Sequence, residues 1–165
     1  MKFITYAVWL GCLSLLIACQ GTTGEDNPAE KPDLKQELQG TWQTIQINVA
    51  VNSADGLDTF RTESLTQDVW ERDFNMHPPV FYFKPDQKFT RVHRNLLDEV
   101  VDESRGMWNV FGDTLVLIEP HATYTYVVKM GEGRASFRSF IDWDEDGAED
   151  DEYQSLQRKI SIGTE

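Results

Sequence analysis

The sequence predicts an all-β domain, a closed antiparallel up-and-down barrel of about eight strands. Three observations lead there. Short runs rich in β-branched and aromatic residues recur from residue 41 to residue 160. Tight-turn signals separate consecutive runs, so neighbours in sequence pair antiparallel. A single domain of about 125 residues with this many strands leaves costly edges unless the sheet closes on itself. A two-sheet sandwich is the alternative.

The elements follow in order. Residues 33–38 read as a short helical turn before the first strand. Residues 41–51 (TWQTIQINVAV) set Trp42, Thr44 and Gln46 against Gln43, Ile45, Ile47 and Val49, a half-buried strand pattern. Residues 62–74 place Leu65, Val69 and Trp70 at helical spacing, which suggests a two-turn helix or an irregular loop. Residues 80–83 and 88–94 form a hairpin around Pro85-Asp86, because proline presets φ and aspartate caps its own backbone. Residues 106–111 and 114–118 form a second around Gly112-Asp113, where glycine permits the positive φ of a tight turn. Residues 124–130 and 134–141 flank Gly131-Glu132-Gly133, and residues 153–160 complete the set.

Composition narrows the function. The chain has 165 residues, 40% of them hydrophobic, which is globular composition. Its net charge of -13 gives no general attraction to nucleic acid or anionic lipid. Both cysteines, Cys12 and Cys19, lie near the N-terminus, so the domain has no disulfide and no thiolate metal cluster.

The N-terminus carries an address. Lys2 opens a positive n-region, and residues 3–18 are apolar and too short for a bilayer span. Leu16-Ile17-Ala18-Cys19 resembles the lipobox of bacterial lipoproteins. The resemblance implies that residues 1–18 are a signal peptide and that Cys19 receives a diacylglycerol and a further acyl chain such as palmitate. Several acyl chains together anchor a protein stably. Gln20 in place of an aspartate implies, by the same resemblance, the outer membrane. Removing residues 1–18 takes away one lysine and no acid, leaving a net charge of -14. Residues 19–37 read as a flexible tether, rich in Gly, Pro, Thr and acids, and residues 38–165 as the barrel.

Gly40-Thr41-Trp42 at the first strand resembles the G-x-W signature of lipocalins, and Gly106-Met107-Trp108 followed by Gly112-Asp113-Thr114-Leu115 is similar to bacterial lipocalin-like lipoproteins. The resemblance implies that Trp42 closes the barrel floor and that a basic residue of the last strand, Arg158, packs over its ring. It also implies a small apolar or amphipathic ligand inside the barrel.

Eight of the eleven residues 142–152 are acidic. Their Asp-x-Asp-x-Asp-Gly core resembles calcium loops of EF-hands, dockerins and thrombospondin type 3 repeats. Carboxylates at alternate positions converge on a tightly curved loop, and calcium takes 6–8 oxygens at 2.3–2.6 Å. The expected ligands are Asp142, Asp144, Asp146, the Ala148 carbonyl and Asp150. Tyr153 stands where an EF-hand needs its closing glutamate, and the flanks read as strands, so the loop sits in a β-hairpin. A solvated acidic loop is the alternative.

No nucleophile, zinc-protease or phosphate-loop motif is present, and His77, His93 and His121 lie in no catalytic context. Arg91 and His93 share one face of their strand; the favoured reading turns them outward, balancing an acidic surface, and the other turns them toward an anionic ligand. The expected function is therefore non-catalytic: a membrane-anchored carrier, or a calcium-stabilised interaction module of the cell envelope. An internal cavity of a few hundred Å³ favours the carrier. A filled barrel with an exposed aromatic patch favours the module.

Overall fold

A computed structural model describes residues 33–52, 59–161 and 163. The signal peptide, the lipobox cysteine Cys19 and most of the tether lie outside the described residues.

Chain order is α1 (Leu34–Leu38), β1 (Gly40–Val51), β2 (Arg61–Thr66), α2 (Gln67–Asp73), β3 (Val80–Phe83), β4 (Lys88–Arg94), β5 (Val100–Phe111), β6 (Thr114–Ile118), β7 (Thr123–Gly131), β8 (Arg134–Ile141) and β9 (Asp151–Ser161). Every consecutive pair from β3 to β9 is antiparallel, and β1 joins β3 on one edge and β9 on the other. That closes an eight-stranded up-and-down barrel. The meander is the one the turn signals predict, and closure rules out the sandwich. The hairpin turns behave as their residues dictate. Asp86 accepts from the Lys88 amide at 3.2 Å, and Gly112 and Gly133 take φ of +64° and +61°.

Two details of the strands depart from the sequence reading. First, β1 cannot keep strict alternation. Its register against β9 shifts between Thr44 and Gln46, a bulge at Ile45. The extra residue flips the parity, so Trp42 and Thr44 share the buried face with Ile47, Val49 and Val51 rather than with Gln46.

Second, residues 62–74 split between two elements. The stretch up to Thr66 pairs with the upper half of β1 as β2, from Val51↔Arg61 to Gln46↔Thr66, and only then does α2 begin. The lower half of the same β1 edge belongs to β3. Thus β2 is a ninth strand outside the closed ring, and α2 crosses from it toward β3. The short helical turn expected over residues 33–38 is α1, whose first residues overlap the stretch 19–37 read as tether; Asp33 caps it by accepting from the Lys35 amide at 3.0 Å.

The lower half of the barrel is packed solid. Trp42, Phe83, Phe89, Trp108, Leu115 and Phe137 fill it, with Leu38 of α1 plugging the bottom. Gly106 belongs to this packing: a Cβ there falls 2.1 Å from the Ile118 carbonyl oxygen and 2.8 Å from the Phe89 ring. Trp42 is fully buried, and its Nε1 donates to the Leu38 carbonyl at 2.7 Å. The basic residue over its ring is Lys159, with Nζ 5.2 Å from the centroid, not Arg158. Lys159 is the β9 partner of Trp42 and shares its face. Arg158 faces the other way and donates to the Gln43 side chain at 2.8 Å.

Candidate functional site

Above the packed floor the barrel hollows out. A buried polar layer marks the change: Thr44 Oγ1 donates to Gln157 Oε1 at 2.9 Å, and Gln157 Nε2 donates to Ser155 Oγ at 3.0 Å. These three are hydrogen-bonded to one another, so their burial is tolerated. Above them lies a cavity of about 330 Å³, partly open to solvent.

Strand order explains what surrounds it. The upper ends of β1, β3, β4, β7, β8 and β9 contribute Ile47, Phe81, Arg91, Tyr124, Ile141 and Tyr153. From β2 and α2 come Leu65 and Trp70, and from the acidic loop Asp142 and Trp143. Rings dominate the wall. Tyr126 lies 5.9 Å from Tyr153 and 6.5 Å from Tyr124, centroid to centroid. Burial pushes the phenols of Tyr126 and Tyr153 up, so both stay protonated. Trp143 is pinned by its Nε1 donating to Glu63 of β2 at 2.8 Å.

Arg91 and His93 both line this cavity, contrary to the outward reading favoured from sequence. They follow Phe89 on the inward face of β4, and Phe89 is a floor residue. The Arg91 charge is met inside the protein: Nη2 lies 3.2 Å from Glu119 Oε1 and donates to Ser104 Oγ at 3.0 Å. Its guanidinium carbon stands 6.0 Å from the Tyr124 ring centroid. Burial, reinforced by the Arg91 charge and opposed by Asp102, holds His93 below its ordinary 6.5. Three of the lining side chains carry a polar atom buried behind the wall without a hydrogen-bond partner: Arg91 Nε, Trp70 Nε1 and Asp142 Oδ1.

The acidic loop caps the same end. Its curvature is as the glycine predicts, with Gly147 at φ +95° and its amide donating to Asp142 Oδ2 at 3.0 Å. Of the expected ligands, Asp142 and Asp144 come together, but their third neighbour is Asp151; one carboxylate oxygen from each lies within 4.8 Å of the others. Asp146 instead accepts from the Ala148 amide at 2.8 Å. Asp151 was not singled out from sequence. It is fully buried at the start of β9, accepting from the Asn52 amide at 2.9 Å and the Trp143 amide at 2.7 Å. The sequence reading starts the last strand at residue 153, whereas β9 begins at Asp151, so nothing local marked it out from the acids beside it.

Grooves on the outer wall are of another kind. One of about 430 Å³ runs past Tyr82, Lys84, Arg94 and Arg105 and is polar. Among the described residues no helix is long and apolar enough to cross a membrane.

No protein-family profile and no curated protein matches this chain. Among solved structures, the crystal structure of a lipocalin-like protein from Bacteroides uniformis ATCC 8492 superposes with a TM-score of 0.45 at 12% identity, covering 75% of this chain and 99% of that one.

Proposed function

We propose that this protein holds a small apolar or amphipathic molecule in the upper half of its barrel, without catalysis. In this reading acylated Cys19 anchors it to the outer membrane. The observation that carries the ligand reading is the ring-lined cavity of about 330 Å³ above a packed floor. Its size falls within the range of small-molecule sites, and its few polar groups are confined to particular points on an apolar wall. The anchor is supported by Leu16-Ile17-Ala18-Cys19. The outer membrane is supported by Gln20.

The test is titration of the purified protein with the neutral fluorophore N-phenyl-1-naphthylamine. Saturable one-to-one enhancement, weakened in Trp143→Ala and Tyr126→Ala, supports the reading. No saturable signal, or one indifferent to both substitutions, contradicts it. Separately, Cys19→Ser is expected to abolish labelling by a fatty-acid probe in cells.

The convergence of Asp142, Asp144 and Asp151 favours a second reading, that the loop takes up calcium. Three carboxylates this close repel one another, and a divalent cation converts the repulsion into ligation. The loop supplies Asp142 and Trp143 to the cavity wall, so ordering it would shape the mouth.

A further inference from the structure

We propose that the binding site continues through the barrel wall between β7 and β8, and that its occupant is an elongated amphipathic molecule with its apolar end in the cavity and a cationic head, such as a primary amine, in that gap. This rests on the carrier reading above and specifies its ligand class.

The gap comes from the strand pairing. β7 runs from Thr123 to Gly131 and β8 from Arg134 to Ile141, yet they pair only from Gly131↔Arg134 up to Val127↔Arg138. Above that point each strand is held from its other side, β7 by β6 up to Thr123 and β8 by β9 up to Ile141. Across the gap the Ser139 hydroxyl donates to the Thr125 carbonyl at 2.7 Å. A ladder continued to the top would seal the wall here. Instead a cleft of about 480 Å³ lies between the strands.

The cleft passes through the wall. Tyr124, Tyr126 and Ile141 line it and also line the cavity, whereas Thr123, Thr125 and Phe140 line it from the exposed outer face. Successive side chains of a strand point to opposite faces, so both sets border one space only where the wall is open. The site is therefore longer than the cavity of about 330 Å³, and its two parts differ. The inner part is walled by rings. The outer part adds the hydroxyls of Thr123, Thr125 and Ser139 and the carboxylate of Glu149.

Charge selects the head. The charged side chains lining the cleft are Asp142 and Glu149, and among the described residues no lysine or arginine lines it. Asp142 acts through its field rather than by contact, since its Oδ2 accepts from the Gly147 amide at 3.0 Å and its Oδ1 is buried. Glu149 is exposed and open to contact. The chain's net charge of -13 adds to the same sign, drawing a cation to the mouth and repelling an anion. An ammonium in the cleft keeps water on its outer side, so it is not stripped of hydration as it would be in the cavity.

The experiment is displacement of N-phenyl-1-naphthylamine from the purified protein by decylammonium and by decanoate, below their micelle-forming concentrations. EDTA is present so that no divalent cation competes for Asp142. Decylammonium is expected to displace at about tenfold lower concentration than decanoate. Glu149→Gln removes a cleft charge, and Thr125→Trp fills the cleft from outside; both positions are exposed, and melts check that both variants fold. Glu149→Gln is expected to narrow the difference between the two amphiphiles, and Thr125→Trp to raise the decylammonium requirement about tenfold. Decanoate displacing as well as decylammonium, or a difference that Glu149→Gln leaves intact, overturns the cationic head. Decylammonium binding that is indifferent to Thr125→Trp overturns the passage through the wall. In each of these cases the carrier reading stands. Failure of the fluorophore itself to bind the unaltered protein overturns the carrier reading and the inference with it.

Discussion

Lys159 Nζ stands 5.2 Å from the centroid of the Trp42 ring and donates to the Glu37 carbonyl at 2.7 Å. One ammonium thus ties the last strand to the first and to the end of α1. It satisfies a helix carbonyl that has no partner within its helix. The indole does the same for Leu38 from the other side.

Truncating the ring should therefore cost far more than removing the charge. Trp42→Ala is expected to destabilise by about 3–5 kcal/mol, since a fully buried indole leaves a cavity. Lys159→Met should cost about 0.5–2 kcal/mol. Arg158→Met, on the outer face, should stay within about 0.5 kcal/mol. Urea denaturation of the three variants checks the order. Equal losses at positions 158 and 159 would contradict the assignment.

His93 predicts a pH dependence. Its folded-state pKa is lowered, chiefly by burial and then by Arg91, so the unfolded chain binds the proton more readily. The associated stability is fully present above about 6.5, the ordinary histidine value, and is lost as pH falls from there toward the folded-state value. His93→Phe should flatten that part of the profile. Urea midpoints of both proteins between about pH 8 and pH 5 measure it, and parallel profiles would refute the histidine's role.

Calcium should raise the melting temperature. A cation that binds only the folded state adds about 2.7 kcal/mol at 100 times its dissociation constant. Affinity in the range of about 10⁻⁴–10⁻³ M is expected, as for extracellular calcium modules. The comparison is a melt in EDTA and then in millimolar calcium chloride, with Asp142→Asn/Asp144→Asn as control. A melt that ignores calcium leaves only a solvated acidic loop.

The strand pattern and the turns were legible because each rests on local chemistry: alternation, Pro85-Asp86, Gly112-Asp113. What stayed hidden depends on partners distant in sequence. The bulge at Ile45 exists only against β9, and it reverses which residues of β1 face inward. Whether Arg158 or Lys159 covers Trp42 depends on that same pairing. Residues 62–66 are strand because β1 outruns β3 and leaves an edge to fill. Arg91 and His93 looked like surface residues until Glu119, 28 positions away in sequence, supplied the counter-charge that lets Arg91 sit inside. Asp151 was masked by seven other acids around it.

The central claim is that the upper barrel is a binding site. Amide and side-chain NMR shifts of the protein, recorded with and without N-phenyl-1-naphthylamine, test it most directly. The account predicts shifts concentrated on Ile47, Trp70, Phe81, Arg91, Tyr126, Trp143 and Tyr153, with the floor around Trp42 and Trp108 unmoved. Shifts confined to the outer wall, around the exposed neighbours Met107 and Ile118, would contradict it.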